Sequence, residues 1–287
     1  GRVTNSEFRS LLVPLMFDAD TEVARAAIRS AARLGAGDFL FVPPLVSLLR
    51  NRLLKGAARE VLAGYGDAVV PTLVYFMRDR EEDVWVRRHL PATLAHIPCA
   101  ATLEALLETL HDPDGFLRYK ALVALEHLRS TRPDLAIPKD TIEKLIVAET
   151  TRAFNRLTLH YNLFHAGGLD ATSLLARTLS EKYARAIDRV FTLLALVHAP
   201  GDIAAVRHAL VAGDARGRSG AAEFLDNILT GEARSRVMLL AEDMPLEVRI
   251  RKGNALFRTR QRDVEDTLAQ LIHDESQEVA ATAIQLV

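Results

Sequence analysis

The stretch DPDGFLRYKALVALEHL, residues 112–128, combines an acidic turn, an arginine and apolar residues at helical spacing. Arg118 stands four residues after Asp114, and the same spacing occurs 31 residues upstream at Arg87 and Asp83. A fixed period of this size is typical of proteins built from stacked helical repeats. The stretch therefore predicts one copy of a repeat rather than one helix of an ordinary domain.

The period extends along the whole sequence. Arginine occupies six of its nine registers, and the step between registers is 31 residues except for one step of 38. The nine registers are Arg25, Gly56, Arg87, Arg118, Arg156, Ile187, Arg218, Arg249 and Ala280. The longer step coincides with the insertion TRPDLAIPKD, residues 131–140, whose two prolines predict a loop and a candidate hinge.

Each repeat is predicted to form two antiparallel helices. The second helix would begin at an acidic or hydroxyl residue, because such side chains accept hydrogen bonds from the free N–H groups of a first helical turn. These predicted caps are Thr21, Asp83, Asp114, Asp214 and Ser276. The one β-like run, FLFV at 39–42, falls at a helical position of the period.

These patterns predict an all-α fold, a right-handed α-solenoid of about nine helical hairpins. Hairpins one to four would occupy residues 1–130, and hairpins five to nine would occupy residues 141–287. A single hairpin cannot bury its apolar stripe, so stacked neighbours would share one continuous core.

Most of the recurring arginines are predicted to be structural. Acidic residues recur in the preceding turns, and an arginine can bridge such a carboxylate while its aliphatic stem packs on the helix. We call this set the Arg ladder, and it comprises Arg25, Arg87, Arg118, Arg218 and Arg249.

A second set of basic residues is a candidate binding site. Arg152, Arg156 and His160 are spaced by four residues and would share one face of a helix. On the concave surface of a solenoid, this basic stripe could receive an acidic peptide or a phosphate. The alternative is that Arg156 belongs with the ladder, while Glu149 or Glu143 neutralises Arg152.

Composition and motifs argue against nucleic-acid binding, membrane insertion and the common kinds of catalytic or metal site. The net charge of −1 gives no field that would attract nucleic acid or an anionic membrane. The single cysteine, Cys99, excludes an intramolecular disulfide and suggests a cytosol-like compartment, where a packed thiol is expected. There is no P-loop, GxSxG or HExxH motif, and no apolar run is long enough for a spanning helix. We therefore predict no catalytic residue, no metal site and no cofactor.

Three segments carry a family resemblance: residues 112–128, DTEVARAAIRSAARLG at 20–35, and MPLEVRIRKGNALFRT at 244–259. They resemble HEAT repeats, in which an Asp occupies the turn within a repeat and an Arg lies in the second helix. The resemblance weakens over residues 131–199. It implies a non-enzymatic scaffold that binds protein partners or flanking domains.

A narrower resemblance involves the run that begins at residue 112, APGDIAAVRHAL at 199–210, and GAAEFLDNILTGEARSRVMLLAED at 220–243. These are similar to the cytoplasmic HEAT segment of bacterial proteins with an ATP/ADP-translocase-like membrane region and often a cyclic-nucleotide-binding domain. This resemblance implies a cytoplasmic regulatory module tethered at the inner membrane. The chain also has no initiator Met and ends on an uncapped helical pattern, so we expect a fragment of a longer protein.

The main alternative function is a nucleic-acid enzyme. HEAT-like folds include DNA glycosylases that hold duplex DNA in a basic groove with aromatic residues. The net charge, the aromatic content of 6% and the single Trp85 oppose this reading, since Trp85 at a helix start is expected to pack rather than to stack on bases. A HEAT-like lyase that acts on a bilin is a third class, and no feature of the sequence supports it.

Overall fold

In the computed structural model, which describes residues 6–34, 39–274 and 276–286, the chain is helical and these residues contain no strand. It divides into two compact units, Gly1–Ala136 and Ile137–Val287. The all-α class and the helical-repeat architecture are therefore confirmed. The division between the units lies within the 131–140 insertion, and hinge motion at this loop stays a prediction.

Unit 1 is a linear array of four hairpins. Its second helices lie side by side in one layer, and each first helix packs on the second helix of its own hairpin. The helices are α1 Leu12–Leu15, α2 Thr21–Arg33, α3 Val42–Leu48, α4 Lys55–Ala63, α5 Val70–Arg78, α6 Val84–Leu94, α7 Ala100–Thr109 and α8 Gly115–Thr131. The β-like run at 39–42 is helical, with a 3-10 turn at Phe39–Phe41 before α3.

Aspartates begin three of the four second helices of unit 1, whereas α4 begins after Leu54 without a side-chain cap. Asp83 accepts hydrogen bonds from the N–H groups of Trp85 and Val86, and Asp114 accepts equivalent bonds at the start of α8. The prediction of Thr21 as a cap is wrong by one residue, because Asp20 accepts the bond. Of the two other predicted caps, Asp214 accepts from the N–H group of Gly217, whereas Ser276 occupies its N-cap position without a side-chain hydrogen bond.

Unit 2 begins with two long helices, which pack against each other as one hairpin. The helices of this unit are α9 Lys139–His160, α10 Leu174–Val197, α11 Pro200–Ala212, α12 Ala215–Ile228, α13 Gly231–Ala241, α14 Leu246–Phe257, α15 Val264–Ile272 and α16 Gln277–Ile284. The 31-residue period places one register, Arg156, on α9 and the next, Ile187, on α10, and so predicts two hairpins. The two helices instead form a single hairpin. Neither helix contains a glycine or proline that would break it. The described residues therefore form eight hairpins rather than nine.

Three short hairpins pack along the long one. The α11–α12 pair contacts α10, the α13–α14 pair contacts α9, and the α15–α16 pair contacts α10 and the π-helical turn Tyr161–Ala166. A 24-residue helix is roughly 36 Å long, which is about the width of three hairpins. Unit 2 therefore differs from a linear array, since its last hairpin returns to its first.

The core of unit 2 shows why these hairpins approach so closely. Phe154 on α9 is fully buried and stacks on Phe257 of α14, with ring centroids 4.5 Å apart. Gly253 on α14 faces the same ring and leaves space for it. None of the helices in the described ranges is both long and apolar enough to cross a membrane.

Candidate interaction surface

The ladder arginines of unit 1 contact the turns between helices. Arg87 donates from Nε to the carbonyl of Met77 at 2.9 Å and from Nη2 to Asp112 at 2.9 Å. Arg118 donates to the carbonyls of Asp112 and Pro113 at 2.6 and 2.8 Å. Both arginines are buried. The Asp112 turn therefore receives donors from two successive hairpins.

The remaining ladder arginines are more exposed. Arg25 donates to Glu22 at 3.0 Å and to the carbonyl of Leu53 in the next hairpin at 3.3 Å. The two ladder arginines of unit 2 make similar turn contacts: Arg218 with Asp243 and the Gly213 carbonyl, and Arg249 with the Glu242 carbonyl. A stabilising role for each arginine stays a prediction.

The structure places Arg152, Arg156 and His160 along α9 in different environments. Arg156 donates to both carboxylate oxygens of Asp274, at 2.6 and 3.2 Å. Arg152 donates to the buried Glu149 at 2.9 Å and stays one-third exposed. Burial lowers the pKa of His160, and neighbouring His165 lowers it further, which favours neutral imidazole at neutral pH. Binding by this stripe stays a prediction, and both of its arginines, with side chains 33% and 24% exposed, already pair with carboxylates.

A different surface carries exposed aromatic rings beside cations. Trp85, Phe116 and Tyr119 on α6 and α8 are 53%, 39% and 47% exposed. The Arg88 guanidinium lies 5.2 Å from the Trp85 ring centroid and 5.1 Å from that of Phe116. The Lys120 ammonium lies 5.1 Å from the Phe116 centroid and 5.7 Å from that of Tyr119. We call these five residues the aromatic–cationic patch.

The patch is held in place by its own helix starts. Asp114, which caps α8, also accepts from Arg88 Nε at 2.7 Å. Arg88 and the N–H groups of the first turn together lower the pKa of this carboxyl, although burial acts in the opposite direction as the largest single cause. Trp85 meets Phe116 edge-on, with centroids 6.5 Å apart. The side chains are therefore positioned before any partner binds.

Further cations lie near Lys120 in the same helix layer. Burial lowers the pKa of His89, and the charges of Lys55, Arg59 and Lys120 lower it further. Burial also lowers the pKa of Arg59, whose Nε donates to the Thr93 hydroxyl at 3.4 Å. Within the described ranges, Lys55, Arg59 and Lys120 form no ion pair with a carboxylate. Their charge is available to a ligand.

Sequence reasoning missed this surface, although the repeat contains a signal for it. Trp85 and Phe116 stand two residues before Arg87 and Arg118, so they occupy equivalent positions of adjacent repeats. The expectation that Trp85 packs is only half met, because its ring contacts Arg88 and Phe116 but stays half exposed. Comparing repeats column by column would have found the aromatic pair.

Groups suited to catalysis or metal binding are sparse. The described ranges hold no cluster of three or more His, Cys, Asp or Glu side chains placed to bind a metal ion. Cys99 precedes α7, and its thiol donates to the Thr102 hydroxyl at 3.5 Å.

One comparison with known protein families agrees with the repeat architecture over part of unit 1. Residues 42–126, which span α3 to most of α8, match the family model of HEAT repeats. The crystal structure of an engineered protein is similar at 17% identity over 96% of this chain and 76% of that chain, with a TM-score of 0.28. The search of curated proteins found no match. The resemblance to translocase-linked proteins has no support among these findings.

Proposed function

We propose that this chain is a non-enzymatic scaffold and that the aromatic–cationic patch binds a segment of a partner protein. The exposed trio of Trp85, Phe116 and Tyr119 beside two cations is the observation that carries the proposal. Trp, Tyr and Arg dominate the binding energy of protein interfaces. The patch lies within the residues that match HEAT repeats, whose stacked helices present extended surfaces suited to protein binding.

The charges beside the patch indicate the chemistry of the partner. Lys55, Arg59 and Lys120 lie in one helix layer without carboxylate partners among the described residues. Binding an acidic side chain there would neutralise cations that are already partly desolvated. We therefore propose a partner segment that combines acidic residues with at least one apolar or aromatic anchor.

A protein segment fits this surface better than nucleic acid. Arg88 lies over Trp85 and Phe116, and Lys120 lies over Phe116 and Tyr119, so cations already occupy ring faces that a base would need. Asp114 also neutralises Arg88. Binding of duplex or single-stranded DNA with a steep salt dependence would instead favour the nucleic-acid alternative.

Replacing Trp85 with alanine should weaken partner binding by roughly 10- to 100-fold, the usual effect of removing an aromatic anchor. The probe would be a peptide selected from a random displayed library on the immobilised chain. Because Trp85 is the only tryptophan, its fluorescence reports directly on peptide binding to the wild type. Peptide anisotropy would then compare the variants.

Tyr75→Ala is the matched control, because Tyr75 is an aromatic side chain of unit 1 that lies on a first helix and is 64% exposed. We expect this variant to bind the peptide like the wild type. Lys120→Glu should lose affinity for acidic peptides in particular. Equal affinities of the Trp85 and Tyr75 variants for every selected peptide would refute the patch as the binding site.

We further propose, from the narrower sequence resemblance, that the scaffold is a cytoplasmic regulatory module of a larger bacterial transporter-like protein. The coding sequence on either side of this chain tests the proposal. Membrane-spanning helices upstream and a cyclic-nucleotide-binding domain downstream would support it. A reading frame that begins and ends near these residues would refute it.

A further inference from the structure

Unit 2 contains a cavity of about 380 Å³ among helices α10 to α14. Its walls are largely apolar, and a few polar groups reach into it, which is the usual character of small-molecule sites of this size. The apolar walls include Ile187, Phe191, Leu210, Val237 and Leu240. Its polar lining residues are a tyrosine, three arginines and three carboxylates: Tyr183, Arg207, Arg218, Arg249, Asp188, Glu242 and Asp243.

The repeat register explains why space is left here. Ile187, Arg218 and Arg249 are three successive registers, and all three line the cavity. In unit 1 the register residues Arg87 and Arg118 are buried among their neighbours, where they fill the space beside the turns. Isoleucine is shorter than arginine, so Ile187 leaves unfilled a volume that the Arg87 and Arg118 side chains occupy at the equivalent positions of unit 1.

The arginines that line the cavity differ in how they are paired. Arg218 donates to Asp243 at 3.1 Å and Arg207 donates to Asp188 at 2.5 Å. Arg249 has no carboxylate partner in the described part of the chain, and its Nη2 donates to the main-chain carbonyl of Glu242 at 2.7 Å. Its guanidinium thus keeps a positive charge that no side chain of the described residues neutralises.

Two further observations concern Arg249 and its surroundings. The Nε atom of Arg249 is buried and has no hydrogen-bond partner among the described residues. The Tyr183 side chain lies in the field of Arg249, whose charge lowers the tyrosine pKa against the larger raising effect of burial. A carboxylate held here by Arg249, with the Tyr183 hydroxyl as a second donor, would offset the cost of keeping this charge out of water.

We infer that the cavity binds an amphipathic monocarboxylate, with its carboxylate at Arg249 and its hydrocarbon part between Ile187, Phe191 and Leu240. Val211, one of the lining residues, is 82% exposed. This inference is independent of the proposed function, because that function rests on unit 1 and the cavity lies in unit 2.

The test is calorimetric titration of the whole chain with decanoate, with decanol and decylamine as neutral and cationic probes of the same length. We expect saturable binding of decanoate, at least tenfold tighter than that of decanol or decylamine. Arg249→Met keeps the apolar stem and removes the charge, so it should weaken decanoate binding by roughly 10- to 100-fold. It should leave decanol binding nearly unchanged.

Two variants separate binding in the cavity from general effects on the fold. Ala184→Trp places a bulky side chain at an exposed lining residue and should abolish binding of both decanoate and decanol. Arg234→Met removes an exposed arginine that pairs with Asp226 away from the cavity, and should bind decanoate like the wild type. No saturable binding to the wild type, equal affinity in Arg249→Met, or a preference for decylamine would overturn the inference.

Discussion

Glu149→Ala is expected to lower the free energy of unfolding by about 3–5 kcal/mol, the cost of leaving a buried charge without its partner. The Glu149 side chain is 4% exposed and binds two arginines, accepting from Arg189 Nε at 3.0 Å and from Arg152 at 2.9 Å. The side chain of Arg189 is itself 9% exposed, so water cannot replace the carboxylate. Urea unfolding followed by far-UV circular dichroism measures the loss.

The matched control for this change is Glu181→Ala on α10, which removes an exposed carboxylate paired with Arg185. We expect it to cost less than about 0.5 kcal/mol. Replacing both buried partners, in Glu149→Leu with Arg189→Met, should recover much of the lost stability, because the charge then left without its partner is that of Arg152, which is one-third exposed to water. A cost below about 1 kcal/mol for Glu149→Ala would contradict a buried ion pair.

Gly253→Ala should destabilise the chain by about 1–3 kcal/mol, although alanine normally stabilises a helix relative to glycine. A methyl group at this position would overlap the ring of Phe154, which is fully buried and stacked on Phe257. The ring would have to move within a close-packed core. Thermal and urea unfolding measure the effect.

Gly220→Ala is the comparison variant, because it is expected to raise the free energy of unfolding rather than lower it. Gly220 lies within α12, and a methyl group there meets no atom within 4 Å, so we expect stabilisation of about 0.5–1 kcal/mol. Combining Gly253→Ala with Phe154→Leu should cost less than the sum of the two single changes, since the smaller side chain accommodates the new methyl group. Strict additivity would show that Phe154 is not the obstacle.

The helical period predicted the last two hairpins of unit 1 well because the turn inside each of them carries its own local signal. Asp83 and Asp114 each cap the helix that the 31-residue spacing places after them. Local hydrogen bonds of this kind depend on residues close in sequence, so the sequence pattern reveals them.

The long hairpin of unit 2 was not predicted. The 31-residue period continues through α9 and α10, but the turns that would divide these helices into shorter ones are absent. Arg156 keeps the ladder spacing, yet its carboxylate partner is Asp274, 118 residues away. No periodicity indicates which distant turn will supply such a partner. In the sequence, the evidence for one continuous helix was that residues 139–160 lack an N-cap residue at the expected turn and lack a glycine or proline that would break the helix.

The exposed patch was also missed for a physical reason. A hydrophobic pattern identifies apolar residues that recur at helical spacing but does not indicate which of them remain in water. Trp85 and Phe116 belong to the pattern and are nevertheless exposed. Their role depends on Arg88 and Asp114, which approach only when α6 and α8 are stacked.

The return of the last hairpin of unit 2 to its first helices has a consequence for folding. Contacts in unit 1 join neighbouring repeats, whereas unit 2 is closed by the pairs Arg156–Asp274 and Lys182–Glu278. Such pairs raise the contact order, and the chain entropy of a long loop is lost before the contact can stabilise anything. Unit 1 can therefore grow from a local nucleus one repeat at a time, whereas unit 2 gains its full stability only when its distant ends meet.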